Sequence, residues 1–184
     1  MLSNIDVALT QWLNGPAGHH PSIDGLMIAT TKIMIPLMVV AVAVRWWTGS
    51  DRRNERMLAV ETGLTFLLGL FINQFILLFV NRMRPYDAGV THLIIAPSAD
   101  PSFPSDHATA ATAIVMAILL NHRRRRALLM AFPAALLMLS RIYVGTHYVS
   151  DVVGGIGTGL LAAIIVHATA SLRMPITAAI IRFL

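Results

Sequence analysis

Three short stretches of the sequence hold residues able to do chemistry. In SRIYVGTHYVSD, residues 140–151, His147 and Asp151 stand four apart, one helical turn, so the carboxylate can reach an imidazole nitrogen. A carboxylate that fixes the ring's tautomer leaves the other nitrogen free to attack, as a histidine nucleophile requires. A structural His–Asp tie at a helix start would use the same spacing. Arg141, late in an apolar run, is a charge that such a tie does not need and that is costly without an anionic partner. Gly145 lets the chain turn between the two groups.

In PSFPSDHATA, residues 101–110, Pro104 can open a helix whose first turn holds Ser105, Asp106 and His107. Free backbone N–H groups there make an anion nest, and the Ser105 hydroxyl adds a donor. A histidine beside that nest can give a proton to a leaving oxygen. The plainer alternative is an ordinary capped helix start, with Ser102 or Ser105 as the cap. The third stretch, NRMRPYD at residues 81–87, offers Arg82 and Arg84. Their rigid forks of donors suit phosphate oxygens. They could equally anchor a helix end among lipid headgroups.

These groups need a scaffold, and the composition restricts its kind. Of 184 residues, 56% are hydrophobic and 12% charged, far too apolar for an ordinary soluble domain. The apolar residues come in blocks long enough to cross a bilayer. The net charge of +5 is not a nucleic-acid footprint, because the arginines cluster between apolar blocks without interleaved aromatics. The absence of cysteine excludes disulfides and thiol chemistry.

The expected organisation is an all-α polytopic transmembrane bundle, one domain over residues 1–184, with five spans plus short N- and C-terminal helices. Residues 4–14 put Ile5, Leu9, Trp12 and Leu13 on one helical face and read as an interfacial or re-entrant helix. Residues 15–25 read as a loop. The spans are Leu26–Val44, Met57–Val80, Pro104–Leu120, Ala127–Val144 and Tyr148–Ala168, with a long polar loop at 81–103. Pro175–Leu184 is too short to cross alone. Asn73, Gln74 and Glu61 are candidates for a polar seam, with helix-to-helix hydrogen bonding the plainer role.

Charge sets the expected topology. The connections at 45–56 and 121–126 carry eight arginines and belong on the cytoplasmic side. Alternation then gathers the 81–107 loop and the 145–148 turn on the extracytoplasmic side, where nearly all the chemistry-bearing residues fall. Together they favour phosphoryl transfer at the membrane face. Arginines hold the phosphate oxygens, one histidine attacks phosphorus and another protonates the leaving group. A metal site fits less well, because the proposed pocket is cationic and lacks a compact acidic and histidine ligand group.

The three stretches resemble the type 2 phosphatidic acid phosphatase (PAP2) superfamily, a haloperoxidase-like fold. Its pattern has a lysine with an arginine–proline pair, a PSGH-like box and an SR…H…D box. Here these are Arg84–Pro85, Pro104–Ser105–Asp106–His107, and Ser140–Arg141 with His147 and Asp151. The wording SFPSDHAT, with AGHHPSIDGLM near the N-terminus, is most similar to the bacitracin-resistance branch, the undecaprenyl diphosphate phosphatases.

The resemblance implies that His147 forms a phosphohistidine, that Asp151 orients it, and that His107 is the general acid and then the base for water. It implies that Arg84, Arg141, Ser105 and the backbone of Asp106 cradle the phosphoryl oxygens, with neither cofactor nor metal. The implied partners are an isoprenoid or glycerolipid phosphate and membrane lipid, with no nucleic acid and no obligate protein partner, in the cell membrane with the site facing the periplasm or exterior. Two positions depart from the pattern. The lysine expected seven residues before Arg84 is Leu77, so Arg82 is the candidate to supply that charge. Asp106 stands in place of glycine and is expected to turn outward or pair with an arginine. An anion transporter, or a lipid-binding protein without catalysis, would use the same positive site but would not need His107, His147 and Asp151.

Overall fold

A computed structural model describes residues 2–49 and 51–171. These residues form, in chain order, α1 (Leu2–Asn14), α2 (Pro21–Thr48), α3 (Arg52–Leu77), α4 (Asp106–Leu120), α5 (Arg124–Tyr143) and α6 (Val149–Ala168). The expected Pro175–Leu184 segment lies outside the described residues.

Local chemistry explains several boundaries that differ from the apolar blocks. α2 begins inside the expected loop because Pro21 suits a first helical turn and Asp24 complements its N-terminal dipole. α3 begins early because Asp51 caps it, accepting from the Asn54 N–H at 3.3 Å. α5 takes in Arg124–Arg126, since arginine is a good helix former. α3 stops at Leu77, and Leu78–Val80 form a turn rather than the end of a span.

Among the described residues four helices, α2, α3, α5 and α6, are long and apolar enough to cross a membrane, where five spans were expected. α4 has 15 residues, about 22 Å of rise, short of a hydrocarbon core of about 30 Å. Its place explains its length. It packs against α2, α3, α5 and α6, and most of its side chains are buried. Enclosed by protein, it has no bilayer thickness to match.

The bundle interior mixes apolar and polar side chains, and its outer surface is apolar. Met38, Leu58, Ile114 and Leu137 form an apolar core, but Thr62, Thr65, Asn73, Thr109 and Thr158 are also buried between helices. Large apolar side chains such as Phe71, Leu128, Phe132 and Val153 face outward, as lipid-facing positions should. α4 and α6 approach closely through glycine. A Cβ on Gly155 would stand 2.5 Å from the Ser105 carbonyl oxygen, and one on Gly159 would stand 2.6 Å from that of Thr109. This contact sets the start of α6 against the start of α4.

Candidate active site

Four chain segments converge at one end of the bundle: the end of α3, the 81–105 loop, the first turn of α4, and the α5–α6 turn. They enclose a pocket of about 100 Å³ lined by residues that include Leu77, Arg84, Asp100, Asp106, His107, Arg141 and His147. All three chemistry-bearing stretches therefore contribute to a single cavity. The turn that delivers His147 depends on Gly145, whose φ of +88 is strained for any residue with a Cβ. A Cβ there would also meet the His92 carbonyl oxygen at 2.5 Å.

His147 is 4% exposed. Its Nδ1 lies 2.8 Å from the Ser102 carbonyl oxygen. A carbonyl only accepts, so Nδ1 carries the proton and Nε2 keeps its lone pair. Asp151 lies 3.6 Å from Nδ1, too long for a hydrogen bond. A backbone carbonyl makes the shorter contact with Nδ1, and the Asp151 carboxylate stands behind it at ion-pair distance. The Asp151 carboxylate is committed elsewhere. Oδ2 accepts from the Tyr148 N–H at 2.8 Å, closing the first turn of α6, and Oδ1 accepts from Arg82 Nη1 at 2.6 Å. Burial pushes the His147 imidazole below its ordinary value of 6.5. The Asp151 carboxylate opposes that shift, while Arg141 and Arg84 add to it.

Arg141 is 8% exposed, and Nη1 donates to the Thr31 hydroxyl at 2.6 Å. Among the described residues no carboxylate lies within ion-pair distance of it, and Nε has no partner. The Thr31 backbone also lies beside the His107 ring. Sequence reading missed Thr31; the pair Thr30–Thr31 inside an apolar span was its only signal. Arg84 is 4% exposed and more committed. It donates to the carbonyls of Asp100 (2.8 Å) and Thr146 (3.1 Å), and Nη2 meets the Asp100 carboxylate at 3.1 Å. Partial burial works to raise the Asp100 carboxyl, but the Ser98 hydroxyl and Arg84 outweigh it and hold it below the ordinary value.

At the start of α4, Ser105 is the N-cap residue, yet its side chain makes no capping bond. Its hydroxyl is buried without a partner. The Asp106 carboxylate neither turns outward nor meets an arginine. It accepts from the Asn73 amide at 2.7 Å, and the same amide donates to the Thr109 hydroxyl at 2.9 Å. Asn73 thus does the helix-to-helix bonding foreseen for it and turns the carboxylate toward α3. Glu61 faces His167 at 3.3 Å, remote from the pocket. Arg82 is not among the pocket-lining residues. Its guanidinium is taken up by Asp6, Ser150 and Asp151 rather than turned into the pocket where phosphate was expected to meet it. Leu77 itself lines the cavity where the family pattern has lysine.

Residues 58–175 match the PAP2 superfamily. The chain belongs to that superfamily. This PAP2 protein is a multi-pass membrane lipid phosphatase. It is 31% identical to undecaprenyl-diphosphatase BcrC of Bacillus subtilis over 92% of its own length and 86% of the relative's. Its fold matches the crystal structure of a transmembrane PAP2-type phosphatidylglycerolphosphate phosphatase from Bacillus subtilis, with a TM-score of 0.70 and 22% identity over 92% of this chain and 86% of that one. It also matches Aquifex aeolicus LpxE, with a TM-score of 0.61 and 22% identity over 86% of this chain and 92% of that one.

Proposed function

We propose that this PAP2 phosphatase hydrolyses undecaprenyl diphosphate to undecaprenyl phosphate and inorganic phosphate through a phosphohistidine on His147. The observation that carries the reading is Arg141. It is a nearly buried cation whose partner among the described residues is a neutral hydroxyl, in the same small pocket as two histidines. A buried charge without a counter-ion is costly, and a phosphate dianion entering the pocket would offset that cost.

In the proposed reaction Nε2 of His147 attacks the terminal phosphorus, and the bond from phosphorus to the bridging oxygen breaks. Arg141, Arg84, the Ser105 hydroxyl and the backbone N–H of Asp106 receive the charge that builds on the phosphoryl oxygens. His107 gives its proton to the departing lipid phosphate, then takes one from the water that attacks the phosphohistidine. That second step releases phosphate and restores His147. Arg84 reaches the substrate by exchanging the Asp100 carboxylate for phosphate. The chain needs no metal in this scheme.

The likeness to BcrC supports the isoprenoid diphosphate as substrate. The arginine-rich connections at the other end of the bundle support an extracytoplasmic site. The test is phosphate release by purified protein in EDTA from undecaprenyl diphosphate, phosphatidylglycerol phosphate and phosphatidic acid, beside His147→Ala. Turnover of the diphosphate ahead of the others, lost in the variant, is the expected result. Preference for a glycerolipid would keep the mechanism and replace the substrate. No release from any of them would move anion transport or passive lipid binding forward.

A further inference from the structure

Arg82 lies behind the proposed nucleophile, on the far side of Asp151 from His147. Nη1 donates to Asp151 Oδ1 at 2.6 Å and to the Ser150 hydroxyl at 2.6 Å. Nη2 donates to Asp6 Oδ2 at 2.7 Å, and the guanidinium lies 4.0 Å from the centre of the Tyr148 ring. Its backbone carbonyl accepts from the Ser102 N–H at 2.9 Å. Ser102 is the residue whose own carbonyl holds His147 Nδ1. Arg82 therefore touches both supports of the His147 ring without touching the ring.

Asp6 comes from α1, and that helix is built in an unusual sense. Asp6, Thr10 and Asn14 are spaced by four and share one face. That face points inward. Asp6 accepts from the Ser150 N–H at 2.9 Å, Thr10 accepts from the Val149 N–H at 3.1 Å, and Asn14 donates to the Tyr143 carbonyl at 2.7 Å. Ile5, Leu9 and Trp12 point outward, with Trp12 74% exposed. The polar face of α1 thus docks on the turn that carries His147, and its apolar face is left for the membrane interface.

We propose that Asp6 and Arg82 are positioning residues for catalysis: Asp6 anchors Arg82, and Arg82 fixes Asp151 and the Ser102 backbone around the His147 ring. Asp151 is fully buried and needs donors for both oxygens. With Arg82 gone, Oδ1 loses the donor that fixes the carboxylate beside the ring. The carboxylate and the Ser102 carbonyl would then no longer hold Nδ1 in one place, and Nε2 would leave its line of attack. A displacement of about 1 Å is enough to cost a reaction heavily. The inference rests on His147 being the nucleophile.

The experiment measures kcat, KM and thermal midpoint for purified wild type, Asp6→Asn, Arg82→Gln, Arg82→Lys, the Asp6→Asn/Arg82→Gln double variant, and Thr10→Val. Undecaprenyl diphosphate and phosphatidylglycerol phosphate are both supplied as substrates. Asp6→Asn and Arg82→Gln are each expected to lower kcat about tenfold with KM within about twofold, and the double variant to be no worse than the lower single. Arg82→Lys, which keeps the charge but not the two-sided fork, is expected to behave like Arg82→Gln. Thr10→Val loosens α1 without touching Arg82 and is expected to keep wild-type kcat. The inference is overturned if Asp6→Asn keeps wild-type kcat, or if Thr10→Val loses as much as Asp6→Asn. It is also overturned if Arg82 variants raise KM alone, which would return Arg82 to the phosphate. Wild-type protein that turns over neither lipid would instead sink the catalytic reading, and the inference with it.

Discussion

Nδ1 of His147 lies 2.8 Å from the Ser102 carbonyl oxygen and 3.6 Å from the Asp151 carboxylate. The ring is oriented by a neutral acceptor, with the carboxylate one step back. A neutral acceptor fixes the tautomer without strongly stabilising the imidazolium, and so leaves the proposed nucleophile unprotonated over a wider pH range.

A pH prediction follows from that arrangement and from burial. His147 is held below 6.5 chiefly by burial. The acid limb of kcat/KM assigned to His147 should therefore lie below the ordinary histidine range. Asp151→Asn removes the group that opposes the shift, so the limb should move lower still while kcat falls. Stability has the same sign. The unfolded chain protonates His147 near the ordinary value and the folded one does not, so the contribution is intact above that value and lost as pH falls below it. His147→Ala should lose phosphate release on the order of 10³-fold or more, together with any acid-labile phosphoprotein.

Arg141 should show opposed effects on stability and binding. Arg141→Met removes a buried, unpaired cation and should leave the empty protein as stable as wild type or more so. Orthovanadate should raise the thermal midpoint of wild type and not of Arg141→Met. Equal shifts in both proteins would place the anion elsewhere.

Leu77→Lys restores a cation at a pocket-lining position. Inorganic phosphate should then inhibit more tightly, by up to about tenfold, and added salt should weaken that gain. Unchanged inhibition would mean that Arg84 and Arg141 already meet every accessible phosphate oxygen.

Because the chain lacks cysteine, its orientation can be read with single introduced thiols. Asp87 and Arg124 are exposed at opposite ends of the bundle. In intact cells an impermeant maleimide should label Asp87→Cys and spare Arg124→Cys. The reverse pattern would put the site on the cytoplasmic side.

Gly145→Ala should destabilise the protein by about 1–3 kcal/mol, because a Cβ must be held at positive φ against the His92 carbonyl. A thermal midpoint equal to wild type would contradict this account of the turn.

Much of the molecule was written in local sequence. Apolar block length marked the four long helices but counted the short, enclosed α4 as a span too; the arginine clusters marked a common end, and the spacing of His147 from Asp151 marked a helix start. These properties depend on residues within a turn or a span of one another, and local pattern carries them. What the partners of each side chain are was not local. His147 takes its orientation from a carbonyl 45 residues away, and Arg141 meets a hydroxyl 110 residues away. A backbone carbonyl has no residue type to recognise, and Thr31 is one of several threonines buried between the helices. Arg82 shows the limit most plainly. Its charge and its place beside Arg84 suited phosphate, but the inward polar face of α1 put Asp6 within reach and drew the guanidinium behind Asp151. The amphipathic pattern of α1 was legible, whereas which face met protein was not. In a membrane protein the apolar side can face outward, and only packing decides.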